Sequence, residues 1–153
     1  LASPQGLSPE ARAFISQGGV GYAALIGQED VLPAAVAAEV SALGVPAVGR
    51  YGGQDRYETS LEVYRHALQA PWDMAPASFA VTTGANYPDA LAAGPALGNR
   101  GGMLLLTPPH ALHDAVKVPF AESSPSFGKV WVIGGPAAID DAVKEDIKAL
   151  LQG

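Results

Sequence analysis

The sequence contains no cysteine, few charged residues (16%) and no long apolar run. The lack of cysteine excludes disulfides, thiolate metal sites and cysteine nucleophiles. Acidic residues outnumber basic ones by 15 to 9, and the net charge of −6 argues against a general surface for nucleic acid or other polyanions. No apolar stretch approaches the length that spans a bilayer, so we do not expect membrane insertion.

Short apolar runs typical of buried strands alternate with segments in which apolar residues recur at helical spacing. Because strands that alternate with helices form parallel sheets covered on both faces, we predict an α/β fold. The predicted strands are 20–27, 78–84, 101–107 and 129–135, with a further extended piece at 46–50. The predicted helices are 9–17, 33–44, 55–70, 86–97, 110–118 and 140–151.

An internal repeat relates two strand–helix segments of the chain. Residues 23–43 superpose on residues 130–150 without a gap when Ile26 is laid on Ile133, an offset of 107 residues. Any two strand–helix units of an α/β sheet resemble each other to some degree, which is the simpler explanation. The gapless match across both elements and their connection favours a true repeat.

The chain lacks the signatures of nucleotide binding. Residues 133–138, "IGGPAA", follow a predicted strand but do not have the glycine spacing that holds a dinucleotide pyrophosphate. His110, His113 and Asp114 could offer a metal-binding edge on a helix, but their position after two prolines favours a solvated surface. We therefore expect neither a metal nor a cofactor.

Two predicted helices begin with the same arrangement of polar residues. Asp55 is followed three residues later by Glu58, and Asn86 is followed three residues later by Asp89, with Pro88 in the first turn. Such pairs cap helix N-termini, which explains them without a function. Capping does not explain why further polar residues gather nearby, and Asp89 could pair with an arginine there; these neighbours are Arg50, Arg56, Tyr57 and Thr59.

Four motifs occur in a fixed order: "RYGGQDRYETS" at 50–60, "TGANYPDALAAGPAL" at 83–97, "GGMLLLT" at 101–107 and "VWVIGGPAAI" at 130–139. Together these motifs resemble the cell wall-binding repeat 2 family. The resemblance covers about residues 48–151, and residues 26–44 resemble the closing unit of an upstream module. It implies two parts: a strand–helix unit at 1–47 and one full module at 48–153, with the first packed on the second.

The resemblance implies a Rossmann-like parallel sheet with helices on both faces. It also implies a non-catalytic anchor of a secreted protein at the cell wall or cell surface. Its partner would be an anionic wall polymer, teichoic-acid-like or another secondary wall polysaccharide, and not nucleic acid. Because modules of the family occur in threes, a homotrimer or tandem sister modules are expected.

We expect ligand contacts from cations and hydrogen-bonding groups near the helix starts. The cations are Arg50, Arg56 and Arg100, and the other ligand-binding candidates are Thr59, Asn86 and Asp89. The family associates an Ile-Leu-Leu segment with polymer binding; its counterpart here is Leu104, Leu105 and Leu106, which we interpret as core residues of a central strand that support the site indirectly.

Two other functions fit the same sequence. The chain could be a structural or oligomerisation module of a surface layer or secreted protein that never touches polymer. Less favoured is a hydrolase-type enzyme at residues 82–89 with Asp89 as the acid or base, because no set of nucleophile, base and orienting residue is recognisable.

Overall fold

The computed structural model describes residues 2–69, 78–122 and 129–152. It divides the chain into two compact units, Leu1–Gln54 and Asp55–Gly153. The elements in chain order are β1 (Ala2–Ser3), β2 (Gly6–Leu7), α1 (Pro9–Ser16), β3 (Ala23–Ile26), α2 (Ala34–Ala42), β4 (Val48–Tyr51), α3 (Arg56–Ala67), β5 (Ser78–Thr83), α4 (Pro88–Gly98), β6 (Gly102–Thr107), α5 (Asp114–Glu122), β7 (Lys129–Ile133) and α6 (Asp141–Leu150). The predicted α/β fold is confirmed.

The first unit contains a parallel strand pair connected by a helix. Strands β3 and β4 pair in parallel from Ala23 opposite Val48 to Ile26 opposite Tyr51, and α2 connects them. The apolar side of this β–α–β segment forms the core of the unit, which consists of Leu25, Leu32, Val36, Val40 and Val45. Strands β1 and β2 form a small antiparallel hairpin that the sequence analysis did not predict.

The second unit contains a three-stranded parallel sheet in the order β6-β5-β7. Because side chains alternate along a strand, Phe79 and Val81 of β5 enter one core cluster and Ala80 enters another. The first cluster includes residues of α3, α5 and α6, and the second includes Ala93 and Leu97 of α4. Helices therefore cover both faces of this sheet.

The strand that carries Leu104, Leu105 and Leu106 is not in the predicted position. We predicted a central strand, but β6 is an outer strand of the sheet within the described residues, and β5 is the central one. Leu105 is fully buried in the first core cluster, whereas Leu104 and Leu106, which point to the other face because side chains alternate along a strand, are only half-buried. The backbone N–H of Leu106 donates to the Ser60 hydroxyl at 3.1 Å, so α3 protects part of this edge.

Helix α5 begins four residues later than predicted, at Asp114 rather than at residue 110. The hydroxyl of Thr107 donates to the carbonyl of Ala111 at 3.0 Å and accepts the N–H of His113 at 2.9 Å. These bonds hold the preceding residues in a turn. The predicted end of the helix at 55–70 lies outside the described residues, which show α3 from Arg56 to Ala67. No described helix has both the length and the apolar character needed to cross a bilayer.

The boundary between the units falls after Gln54, within the region that resembles the family. The predicted module at 48–153 begins with β4. In the structure, β4 pairs with β3 and belongs to the first unit. The assignment of residues 1–47 to the end of an upstream repeat stays a prediction.

Candidate functional site

The carboxyl ends of the three parallel strands of the second unit define one edge of its sheet. These ends are Thr83, Thr107 and Ile133, and each leads into a turn before the next helix. Open α/β sheets place their ligands at this edge. The turns that follow the strands therefore form the candidate site.

The start of α3 is attached to this edge. Asp55 caps the helix by accepting the N–H groups of Tyr57 and Glu58, both at 2.8 Å, as predicted. Arg56 donates from Nη1 to the carbonyl of Gly84 at 2.6 Å. A Cβ on Gly84 would lie 2.6 Å from the Tyr57 ring, so only glycine allows the turn to approach the helix this closely.

His113 adds a second attachment at the same place. Its ring lies 4.8 Å from that of Tyr57 between centroids, and its Nε2 is 3.5 Å from Oδ2 of Asp55. Its Nδ1 accepts the N–H of Ala115 at 3.2 Å, which caps α5. His113 thus connects the N-termini of two helices, a role that no spacing motif in the sequence signals.

His110 has a different neighbour from His113. Its Nδ1 lies 2.8 Å from Oδ2 of Asp140, which connects the turn after β6 to the start of α6. Asp114 is paired with Lys117 at 2.7 Å, and hydrogen bonding to that lysine lowers the pKa of the Asp114 carboxyl. Across the described ranges, no group of three histidine or acidic side chains is placed to hold a metal ion.

Asn86 and Asp89 lie in the turn after β5 and in the first turn of α4, but not as predicted. The N-cap of α4 is Tyr87, and no side chain caps this helix, so the predicted capping by Asn86 is wrong. Asn86 is exposed. The predicted ion pair between Asp89 and an arginine is also wrong for the residues that the structure describes. The Asp89 carboxylate instead faces the turn after β7, 3.1 Å from the position that a Cβ on Gly134 would occupy.

Arg100 is not brought to the carboxyl edge. It lies between α4 and the start of β6, at the opposite end of the sheet from Arg56. Its guanidinium stands 5.7 Å from the centroid of the Trp131 ring, and Nη1 donates to the carbonyl of Ala96 at 3.1 Å. The structure therefore separates two of the three predicted cations within one unit.

Arg50 belongs to β4 in the first unit. Its Nη1 donates to the carbonyl of Gly27 at 2.8 Å. Its Nη2 is buried and has no hydrogen-bond partner among the described residues. Thr59, the remaining candidate, lies in the first turn of α3, where its N–H donates to the carbonyl of Asp55 at 2.9 Å.

The arginines of the chain fall into two groups. Arg12 is paired with Glu39 at 2.5 Å, and Arg65 is paired with Glu62 at 3.0 Å. The three predicted cations, Arg50, Arg56 and Arg100, donate to main-chain carbonyls and have no carboxylate within 4.0 Å in the described part of the chain. Their positive charge is not neutralised by a neighbour, which is the condition for attracting an anion.

Comparison with known proteins identifies relatives of the chain. The sequence matches the family model described as cell wall binding domain 2 (CWB2) over residues 50–144. Cwp6 from Clostridium difficile has a similar structure, with a TM-score of 0.83 and 16% sequence identity over 98% of this chain and 23% of that chain. For Cwp8 from Clostridium difficile the TM-score is 0.74, with 20% identity over 95% of this chain and 24% of that chain. This chain thus spans about a quarter of the length of the structures it matches, and no curated sequence matches it.

Proposed function

The chain belongs to the cell wall binding domain 2 family, and from this premise we propose that it is a non-catalytic module that anchors a protein to the cell wall. The resemblance noted in the sequence is thereby confirmed, and the family is one of wall-binding domains. The proposed ligand is an anionic wall polymer, teichoic-acid-like or another secondary wall polysaccharide. The proposed location is the cell wall or cell surface.

The uncompensated arginines are the observation that supports an anionic ligand. Arg50, Arg56 and Arg100 have no carboxylate partner within the described residues, although the chain as a whole carries a net charge of −6. An acidic protein can bind an acidic polymer when a few local cations make charge-assisted hydrogen bonds to phosphate or carboxylate groups. Repetition along the polymer would multiply weak contacts.

Arg56 is the arginine that joins the carboxyl edge of the sheet. Two polar side chains of the same edge, Thr59 and Asn86, are proposed to hydrogen-bond the polymer beside it. Asp89 would hold the turn that carries Asn86 in position, because its carboxylate faces Gly134. This set excludes Arg100, whose place at the opposite end of the sheet would make it a separate contact.

A sedimentation assay with purified cell-wall fraction at two salt concentrations tests this function. Arg56→Gln should weaken binding by about tenfold or more, because a charge-assisted hydrogen bond contributes about 1.5–3 kcal/mol. Arg65→Gln removes the same formal charge from an arginine already paired with Glu62 and should leave binding within about twofold. Raising the salt concentration should weaken binding of the wild-type chain.

Two results would contradict the proposal. Equal losses in both variants would show that binding depends on net charge rather than on the unpaired arginine. Wild-type binding that does not change with salt would exclude an anionic ligand.

A second candidate function, an oligomerisation module, is favoured by the outer face of α4. Apart from Asp89, this helix consists of apolar and small residues, but only Ala93 and Leu97 are buried. Tyr87 and Leu91, one helical turn apart, are 73% and 67% exposed. An apolar helix face in water is typical of a protein–protein contact.

We propose that this face serves a homotrimer or the contact between tandem sister modules. Light scattering at several protein concentrations should detect the trimer, and Leu91→Lys should return the chain to a monomer. Arg65→Gln again serves as a control that leaves this face unchanged. A strict monomer at every concentration would exclude the homotrimer.

A further inference from the structure

The two copies of the internal repeat have the same backbone conformation. Gly27 and Gly134, which are 107 residues apart, have φ values of 128° and 129°. After each glycine the turn closes with the same bond: the N–H of Leu32 donates to Gln28 at 2.9 Å, and the N–H of Ile139 donates to Gly135 at 3.0 Å. The repeat inferred from the sequence is therefore also a repeat of structure.

The helices that follow keep the same offset. Helix α2 begins at Ala34 and α6 at Asp141, and neither helix has a side-chain cap. The buried positions correspond one to one, with Leu32, Val36 and Val40 in the first copy and Ile139, Val143 and Ile147 in the second.

The two copies differ in the strands beside them. In the first copy, β4 pairs with β3. The N–H of Ala23 donates to the carbonyl of Ala47 at 3.0 Å, and the N–H of Gly27 donates to the carbonyl of Tyr51 at 2.8 Å, so the main-chain groups of Ala23 and Gly27 face β4. Every second residue of a strand points to the same neighbour, so Leu25 faces β4 as well. In the second copy, β5 pairs with β7, and β7 is an outer strand of the described sheet.

The offset of 107 residues identifies the backbone groups on the outer edge of β7. Val130, Val132 and Gly134 correspond to Ala23, Leu25 and Gly27, which face β4 in the first copy. The hydroxyl of Thr82 on β5 donates a hydrogen bond to the carbonyl of Ile133. This bond is expected if the residues that alternate with Val130, Val132 and Gly134 along β7 direct their main-chain groups toward β5. The N–H and C=O groups of Val130 and Val132 therefore line an edge with no partner strand in the described residues.

We propose that this outer edge of β7 binds an extended segment of the β4 type, supplied by another module of this kind. The segment would add in parallel, with the register that β4 has on β3. Its arginine would donate to the carbonyl of Gly134, as Arg50 donates to Gly27 at 2.8 Å. The β4 strand of the same chain already pairs with β3, so it does not supply the segment.

The complete sheet of such a module is then β6-β5-β7 followed by the added strand. Main-chain hydrogen bonds give affinity in this mode of binding, and side chains at alternate positions give specificity. The interaction connects modules through their main-chain groups and needs no wall polymer. The experiment that tests this interaction therefore does not test the proposed function, and the two can fail independently.

A synthetic peptide with the sequence of residues 45–54, VPAVGRYGGQ, tests the proposal on the full chain. Labelled peptide should bind saturably, and at saturation the amide hydrogens of Val130, Val132 and Gly134 should exchange at least about tenfold more slowly. A peptide carrying Gly49→Pro should not bind, because proline removes an N–H that points toward the partner strand. A peptide carrying Arg50→Ala should bind about fivefold more weakly through loss of its bond to the Gly134 carbonyl.

Three outcomes would overturn the proposal. The first is equal binding of the proline peptide. The second is protection that appears on β3 rather than on β7, which would show exchange with the chain's own β4. The third is dimerisation of the chain through β7 that added peptide does not affect. This result would show that the edge pairs with a second copy of the chain in a different way, and not with a β4-type segment.

Discussion

The two repeat copies bury equivalent residues from the turn to the end of the helix, but they differ on the surfaces of their helices. Helix α2 carries one charged residue, Glu39, whose carboxylate accepts the N–H of Leu7 at 3.1 Å and pairs with Arg12. Helix α6 instead carries exposed ion pairs one turn apart, Asp141 with Lys144 and Glu145 with Lys148. The glycine and core positions of both copies therefore follow their shared backbone, whereas the helix surfaces follow their different surroundings.

The largest expected effect comes from the shared core. Ile147 is 2% exposed, and Ile147→Ala should destabilise the second unit by about 2–5 kcal/mol, since it leaves a cavity that the sheet cannot close. Ile147→Val, which gives this position the side chain that the first copy has at Val40, should cost only about 0.5–1.5 kcal/mol. Urea unfolding followed by tryptophan fluorescence measures both, because both tryptophans of the chain lie in the second unit.

Val40→Ala is the matched variant in the first copy. It should leave the tryptophan-detected transition unchanged and speed amide exchange in α2. If Val40→Ala and Ile147→Ala shifted the tryptophan transition equally, the two units would not unfold independently, and the comparison of copies by single variants would fail.

The second effect concerns the paired glycines. Both have a φ near 129°, so alanine at either position adds backbone strain of about 1–3 kcal/mol. A Cβ on Gly134 would also lie 2.9 Å from the Cβ of Ala138, whereas a Cβ on Gly27 would meet Val31 at an ordinary 3.5 Å. Gly134→Ala should therefore destabilise its unit by about 1 kcal/mol more than Gly27→Ala destabilises its own.

Amide exchange in α6 and α2 measures the two glycine variants locally. Equal costs at the two positions would show that the turn after β7 relaxes around the new methyl group. In that case Asp89 and Ala138 would not restrict the turn, and the position of Asp89 against Gly134 would carry no energetic meaning.

The repeat and the α/β class could be predicted from the sequence because they depend on the spacing of apolar residues, which is local. The start of α5 could not, because it depends on Thr107, whose hydroxyl bonds residues four and six positions away. The hairpin of β1 and β2 has strands of two residues each, too short to show a pattern. The Rossmann-like classification stays a prediction.

The assignment of the candidate site residues to ligand binding stays a prediction, and only part of their local structure follows from the sequence. Arg56 was proposed from its place beside a helix cap, and that cap exists in Asp55. The position of Arg100 at the opposite end of the sheet follows from the sequence once the strand at 101–107 is placed in a parallel sheet, because Arg100 precedes that strand. The contact of His113 with Tyr57 joins residues 56 positions apart and has no local signal.

The smallest expected effect lies at the start of α6. Asp140 is at the N-cap but makes no capping hydrogen bond, and the first copy has Pro33 at the same place without a side-chain cap. Its carboxylate pairs with His110, which is 77% exposed, and an exposed pair contributes little. Asp140→Ala should therefore cost about 0.5 kcal/mol or less, while Asp55→Ala, which removes two capping bonds, should cost about 1–2 kcal/mol. Urea midpoints of the two variants measure this difference. An equal cost would mean that Asp140 stabilises α6 through its charge at the helix N-terminus. In that case the second copy would depend on an N-terminal residue whose counterpart in the first copy, Pro33, carries no charge.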